Sequence, residues 1–272
     1  MNVGIIGTGN MASSLIKGFL TGKRNNILCS DIDVKKLKNF SKVNRVRVTT
    51  ENIKVIKNSQ IIFMCVKPQI VDKILVEIKK DFTLSKVLVS IVAGVQTSYI
   101  EKQLKRGSKI IRTMPNLPCS VLRGIFAYKA NKNCKPKDVK IFKNLADTVG
   151  ISLSINREKD FDTVTALSGS GPGFLGEYIA AQLDYAKSSG LNTIIGKKLI
   201  FETIVGTVEY LSTTNTSPKK FVDLVSSPGG TTEAGVDFLN NKKFSKIIYK
   251  CLESASDRSR KISNKVSLKK DY

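Results

Sequence analysis

The chain predicts an α/β fold, a doubly wound parallel sheet followed by an all-helical domain, on three observations. Strand-like apolar runs alternate with segments of helical spacing over the first half. The first strand runs through a glycine turn into an amphipathic helix, and from Arg157 onward the strand signal gives way to apolar stripes of helical period. Parallel strands need crossover connections, so strand and helix in alternation mean a sheet covered on both faces. At 272 residues there is room for two domains of ordinary size, expected at 1–156 and 157–272.

The first strand is Val3-Gly4-Ile5-Ile6, and it ends in Gly7-Thr8-Gly9-Asn10-Met11-Ala12. Met11, Leu15, Ile16, Phe19 and Leu20 follow at helical spacing. Strand, glycine turn and helix stand in the order of the dinucleotide-binding fingerprint, with Ala12 in the small third position where helix and strand pack closely. Gly7 and Gly9 let the backbone approach a pyrophosphate whose charge then rests on amides at the helix N-terminus. The alternative is a glycine turn that holds no ligand.

The second strand, Asn26 to Ser30, leads into Asp31, 19 residues after Ala12. A carboxylate there hydrogen-bonds the ribose hydroxyls of NAD and repels a 2′-phosphate. Asp33 is as close to the strand end, and Lys35 and Lys36 follow and could neutralise a phosphate, so the choice between NADH and NADPH stays open. The two acids could also simply begin the next helix.

Further strands are expected at Ile61 to Val66, Val87 to Val92 and Lys109 to Thr113, with helical spacing between them at Ile70, Ile74, Leu75 and Ile78. Their ends carry Val66-Lys67-Pro68-Gln69, Ala93-Gly94 and Met114-Pro115-Asn116. In an open parallel sheet the ligand lies outside the carboxyl ends of the strands, which makes these tips candidate cofactor contacts. Gly124 to Tyr128 and Ile151 to Ile155, flanking a helix near Val139 to Asp147, extend the sheet and end the domain near Asn156.

Three stripes define the helical half: Phe174, Leu175, Tyr178, Ile179, Leu183 and Ala186; Ile200, Ile204, Val208 and Leu211; Phe244, Ile247, Ile248, Cys251, Leu252 and Ala255. A small domain with several long apolar faces is incomplete alone, so it is expected to dimerise. Between the second and third stripes lies Ser226-Ser227-Pro228-Gly229-Gly230-Thr231-Thr232. Pro228 and the glycine pair expose amides ahead of a helix start and the threonines add hydroxyl donors, a site for a carboxylate or phosphate. An ordinary capped helix start reads the same way.

The formal charge of +23 helps draw in an anionic substrate or cofactor. Its lysines are spread along the whole chain without aromatic-interleaved motifs, so neither nucleic acid nor membrane is expected as partner. The five cysteines are scattered and never in a CxxC pair, which argues for reduced thiols and against a metal site. With no long apolar run and no leader-like N-terminus, a cytoplasmic protein is expected.

The fingerprint, VKPQ, AGV, MPN, LSGSGP and SPGGTT occur in one order over almost the whole chain, and that set resembles the pyrroline-5-carboxylate reductase family; the last helix, through Asp257-Arg258-Ser259-Arg260, is similar too. The resemblance implies a Rossmann domain, a helical domain that interleaves with its twin in a homodimer, and further assembly into rings. It also implies reduction of 1-pyrroline-5-carboxylate to L-proline by NADPH or NADH. It places the cofactor on Ile6, Gly7, Thr8, Gly9, Asn10 and Met11, on Ser30 and Asp31, on Asn52, on Val66, Lys67 and Pro68, and on Ala93 and Gly94. It places the substrate against Gly230, Thr231 and Thr232 of the partner subunit, in the loop that includes Ser227 and Gly229. Glu158 is placed near the ring nitrogen, so that Thr232 and Glu158 are the catalytic candidates.

The absence of histidine agrees with this chemistry. A carbonyl needs a proton donor aimed at a developing alkoxide, whereas an imine can be protonated before hydride arrives. The chain departs from the family's pattern at Leu117, Ala180 and Leu224, and the end of the second strand reads Cys29-Ser30-Asp31 in place of a serine-rich stretch. Two other readings share parts of the pattern. A 3-hydroxyacid dehydrogenase needs a lysine acid/base, for which Lys187 is the one lysine of the first stripe, without the accompanying asparagine. A nucleotide-sensing regulator would bind the coenzyme but have no need of SPGGTT.

Overall fold

The computed structural model describes residues 1–22 and 25–268. Its sheet has eight strands: β1 (Asn2–Ile6), β2 (Asn26–Ser30), β3 (Val46–Thr49), β4 (Ile61–Met64), β5 (Val87–Ser90), β6 (Lys109–Pro115), β7 (Gly124–Ala130) and β8 (Gly150–Ser154). They lie in the order β3-β2-β1-β4-β5-β6-β7-β8. Pairing is parallel from β3 to β6 and between β7 and β8, while β7 runs antiparallel to β6. The sheet is thus doubly wound as expected, with one reversal at β7. Strand β3, Val-Arg-Val-Thr, is an edge strand that the sequence reading does not contain.

The helices over this sheet are α1 (Asn10–Thr21), α2 (Val34–Lys38), α3 (Asn52–Asn58), α4 (Val71–Ile78), α5 (Thr97–Gln103) and α6 (Pro136–Ala146). Central strands buried on both faces carry side chains alternately to two cores. Phe63 of β4 points into one core with Phe19 of α1 and Phe142 of α6. Its neighbours Ile62 and Met64 point into the other, with Val55 of α3, Ile74 and Leu75 of α4, and Ile100 of α5. The chain leaves β1 outward to β2 and β3 and returns to β4 on the opposite side of β1, which creates the crevice where open α/β sheets bind ligands.

Beyond the sheet come α7 (Phe161–Val164), α8 (Gly171–Ser188), α9 (Thr193–Thr214), α10 (Pro218–Val225), α11 (Thr231–Asn241) and α12 (Phe244–Leu268). The class change follows Ser154, near the expected point, but the compact units are divided elsewhere. One comprises Met1–Pro172 together with the stretch from Ser254; the other is Gly173–Glu253. The physical reason is that α7 and the C-terminal part of α12 pack with the sheet unit. Ser259 donates to Asp162 at 2.7 Å, and a Cβ built on Gly94 would stand 3.0 Å from the backbone of Ser263.

The second unit is helical and poor in buried apolar side chains. Among the described residues Ile200 is its one buried hydrophobic side chain, while Leu175, Tyr178, Ile195, Val208, Leu239, Ile247 and Ile248 are exposed. Among the described residues no helix is long and apolar enough to cross a membrane.

Candidate active site

The β1–α1 turn has the form a dinucleotide needs. Gly7 sits at φ +90°, and a Cβ there would lie 2.6 Å from the carbonyl oxygen of Cys65, so no side chain is accommodated where the end of β1 meets the end of β4. Gly9, the N-cap of α1, faces open space: a Cβ on it would meet nothing within 4 Å. No side chain caps α1 and its first turn carries no acid, so its leading amides are left for an external anion. These features fit a pyrophosphate, with Gly7, Thr8, Gly9, Asn10 and Met11 around it.

The ends of β2 and β4 flank this turn. Gly7 donates its amide to the carbonyl of Ser30 at 2.8 Å, and Cys65 donates its amide to Ile6 at 2.8 Å. Asp31 is fixed by three donors: the Thr8 amide (2.8 Å) and hydroxyl (3.0 Å) reach one carboxylate oxygen, and the Asp33 amide (2.9 Å) reaches the other. Burial works against its ionisation, but the Asp33 and Thr8 donors and the nearby Lys36 outweigh it and hold the carboxyl below its ordinary range. Asp33 has the separate task of capping α2, its carboxylate accepting from the Lys35 amide at 2.9 Å. The buried Ser30 hydroxyl donates to the side-chain oxygen of Asn52 at 2.7 Å, and the Asn52 amide donates to Glu77 at 2.9 Å.

On the other side of the crevice, Val66 and Pro68 are half-buried at the tip of β4 and Lys67 is exposed. Ala93 is half-buried after β5, whereas Gly94, at φ +78°, is buried against α12. Packing against Ser263 leaves no room for a side chain at Gly94, while Ala93 beside it keeps part of its surface exposed. Asn116, 7% exposed after β6, accepts from the Ile125 amide at 3.0 Å and donates to the Ser168 carbonyl at 3.2 Å, tying the MPN tip to the LSGSGP segment.

Glu158 is committed on both oxygens. One accepts from the Thr97 hydroxyl (2.7 Å) and amide (3.2 Å), and the other accepts from the Arg112 guanidinium (2.7 Å). Arg112 is 4% exposed, and its guanidinium carbon lies 4.1 Å from the centre of the Phe161 ring. Glu158 therefore joins β6 to the start of α5. Thr97 and Arg112 are functional neighbours that sequence reading missed, since their distance along the chain hides them.

The loop before α11 belongs to the second unit. Gly229 is at φ +73°, and its amide donates to the Glu233 carboxylate at 2.7 Å. Gly230 is the N-cap of α11 and supplies no side-chain cap; its amide reaches back to the Ser227 carbonyl at 2.9 Å. The amides that open α11 at Thr231 and Thr232 have no cap, and the hydroxyl of Ser226 is shielded from solvent without a hydrogen-bond partner. A carboxylate suits such a helix start, and Thr232 is half-buried beside it. Among the described residues no cluster of acids, cysteines or histidines could hold a metal ion.

Two family models match separate stretches of the chain. Residues 158–262 match the family model described as pyrroline-5-carboxylate reductase dimerisation, and residues 2–94 match that of coenzyme F420-dependent NADP oxidoreductase. The chain is 32% identical to a pyrroline-5-carboxylate reductase of Methanosarcina acetivorans over 97% of its own length and 98% of the relative's. Against one of Synechocystis it is also 32% identical, covering 97% and 99%. The fold superposes with a TM-score of 0.88 on the crystal structure of Plasmodium falciparum pyrroline carboxylate reductase with NADP bound, at 29% identity and 97% and 98% coverage.

Proposed function

The chain belongs to the pyrroline-5-carboxylate reductase family, and from that premise we propose how its own residues carry the reaction. It is an NAD(P)H-dependent reductase that acts as a homodimer and converts 1-pyrroline-5-carboxylate to L-proline, in proline biosynthesis. The single observation that carries the residue assignment is the pair of uncapped helix starts, at α1 and at α11, each preceded by glycines.

The turn of Gly7, Thr8, Gly9, Asn10 and Met11 holds the pyrophosphate of the coenzyme through the uncapped amides that open α1, with Thr8 itself bracing Asp31 and Gly7 giving room for the approach; Ser30, Asp31 and Asn52 take its adenosine end, and Val66, Lys67, Pro68 and Ala93 its nicotinamide end. The reduced nicotinamide supplies a hydride when bound. The uncapped amides of Thr231 and Thr232 and the hydroxyls of Ser227 and Thr231 hold the substrate carboxylate at the start of α11, while Gly229 and Gly230, their own amides given to Glu233 and Ser227, shape the loop that presents them. Thr232 hydrogen-bonds the ring nitrogen through its hydroxyl. The imine is protonated in water beforehand, so the carbon that accepts hydride is already electrophilic and no strong acid is required of the protein. That matches a chain without histidine. Glu158 acts one step removed, as a positioning residue that fixes Thr97 and Arg112.

The exposed apolar stripes of the second unit support the homodimer, and we extend it to larger rings of dimers, which light scattering would read as mass. The five free cysteines suit a cytoplasmic setting. Thr232→Ala tests the assignment: kcat is expected to fall at least tenfold with coenzyme affinity unchanged. Unaltered kcat in that variant removes Thr232 from the mechanism.

A further inference from the structure

We propose that Asp31 makes the adenosine end of the coenzyme site selective for NADH over NADPH. The inference rests on the reading that the β1–α1 turn holds a dinucleotide. Asp31 stands one residue beyond the end of β2, and β2 pairs directly with β1, so its carboxylate lies against that turn. Three hydrogen bonds from Thr8 and Asp33 fix its orientation, and the same donors, with Lys36, keep it ionised. A fixed, half-exposed carboxylate retains acceptor capacity for a ribose hydroxyl. Beside it a 2′-phosphate would set like charge against like charge.

Several polar groups near this end are already engaged, the exposed Lys35 and Arg47 side chains excepted. The Ser30 hydroxyl is buried and given to Asn52, and the Asn52 amide is given to Glu77, which brings a second carboxylate to the same end of the sheet. Arg45 is turned to the carbonyls of Gly22 (2.7 Å) and Leu20 (2.6 Å). Lys36 stands 4.0 Å from the Asp33 carboxylate, so two acids share the cations that follow the strand. Lysine is also a flexible point charge without the fork that grips phosphate in two places.

The test is calorimetric titration of the dimer with NADH and with NADPH, without substrate, for the wild type, Asp31→Ser and Asp31→Asn. The wild type is expected to bind NADH at least tenfold more tightly, and this ratio to narrow as salt screens the repulsion. Both variants are expected to shift the ratio at least tenfold toward NADPH; Asp31→Asn keeps the shape and serves if the serine variant folds poorly. Saturable wild-type binding of both coenzymes with NADPH equal or tighter overturns the proposal and leaves the dinucleotide site standing. Equal weakening of both coenzymes in the variants also overturns it, because Asp31 would then only brace Thr8. Binding of neither coenzyme by the folded wild type overturns the dinucleotide site and the proposal together.

Discussion

Removal of the Glu158 carboxylate separates a positioning role from a catalytic one. In Glu158→Ala the Arg112 guanidinium, with 5% of its side chain exposed, keeps only the face of Phe161, and the Thr97 amide and hydroxyl lose their shared acceptor. Breaking a buried ion pair by deleting one partner costs about 3–5 kcal/mol. The Glu158 side chain is 21% exposed, which lets water reach the site and favours the lower end, about 3 kcal/mol. For a domain of this size each kcal/mol lowers the melting temperature by roughly 2–4 °C, so a fall of about 6–12 °C is expected. Glu158→Gln retains one oxygen acceptor and should lose about half of that. Urea unfolding followed by circular dichroism reads the stability, and initial rates read kcat, at one fixed protomer concentration because the dimer couples stability to concentration. The expected outcome is a clear loss of stability with a modest change in kcat below the melting range. Unchanged stability with kcat lowered about 100-fold or more would refute the reasoning, since that is the range of a lost acid or base.

Two glycine substitutions should behave oppositely. Gly7→Ala, at φ +90° with its Cβ 2.6 Å from a backbone oxygen, should cost about 2–4 kcal/mol in urea unfolding. Gly9→Ala meets nothing, so it should leave stability within about 1 kcal/mol while weakening coenzyme binding at least tenfold in titration. On acidification, Asp31 and Glu101 should both withdraw stability. Burial opposes ionisation of Glu101, but the Gly107 amide, the Asn133 and Asn131 side chains and Lys132 outweigh it, so its folded pKa, like that of Asp31, lies below the ordinary carboxylate value. Such groups contribute fully above the unfolded pKa and lose their contribution as pH falls through the folded one. The urea midpoint should therefore decline below about pH 5, less steeply in Glu101→Gln. Burial pushes the thiols of Cys29 and Cys134 up to about 11, so iodoacetamide at neutral pH should leave both unmodified in the native protein, as read by peptide mass spectrometry.

The local parts of the fold were legible because the physics that makes them is local. A strand, a glycine turn and a 3.6-residue period lie within about twenty consecutive residues, so β1, its turn and α1 could be read directly, as could the approach of β2 to Asp31. Strand β3 was illegible: four residues at a sheet edge, with Arg47 among them, present no run that outweighs a loop. The reversal at β7 was hidden for another reason, since pairing direction is set by connection geometry and both directions share one alternation of side chains. At the site, Ser30 and Asp31 were named from strand position and Asn52 from the family resemblance, but the bonds from Ser30 to Asn52 and from Thr8 to Asp31 were not foreseen. Glu158 shows the limit most plainly. Its partners lie 61 and 46 residues away, and only the folded sheet brings Thr97 and Arg112 to it. The return of α12 to the sheet unit at Gly94 was equally nonlocal.

The measurement that reaches the central claim most directly is the steady-state oxidation of NADH and of NADPH by the purified dimer, each with and without 1-pyrroline-5-carboxylate, with the product identified as L-proline. Turnover that requires the imine and yields proline is the expected result. Saturable coenzyme binding by a folded protein, with no imine-dependent turnover from either coenzyme, would contradict it.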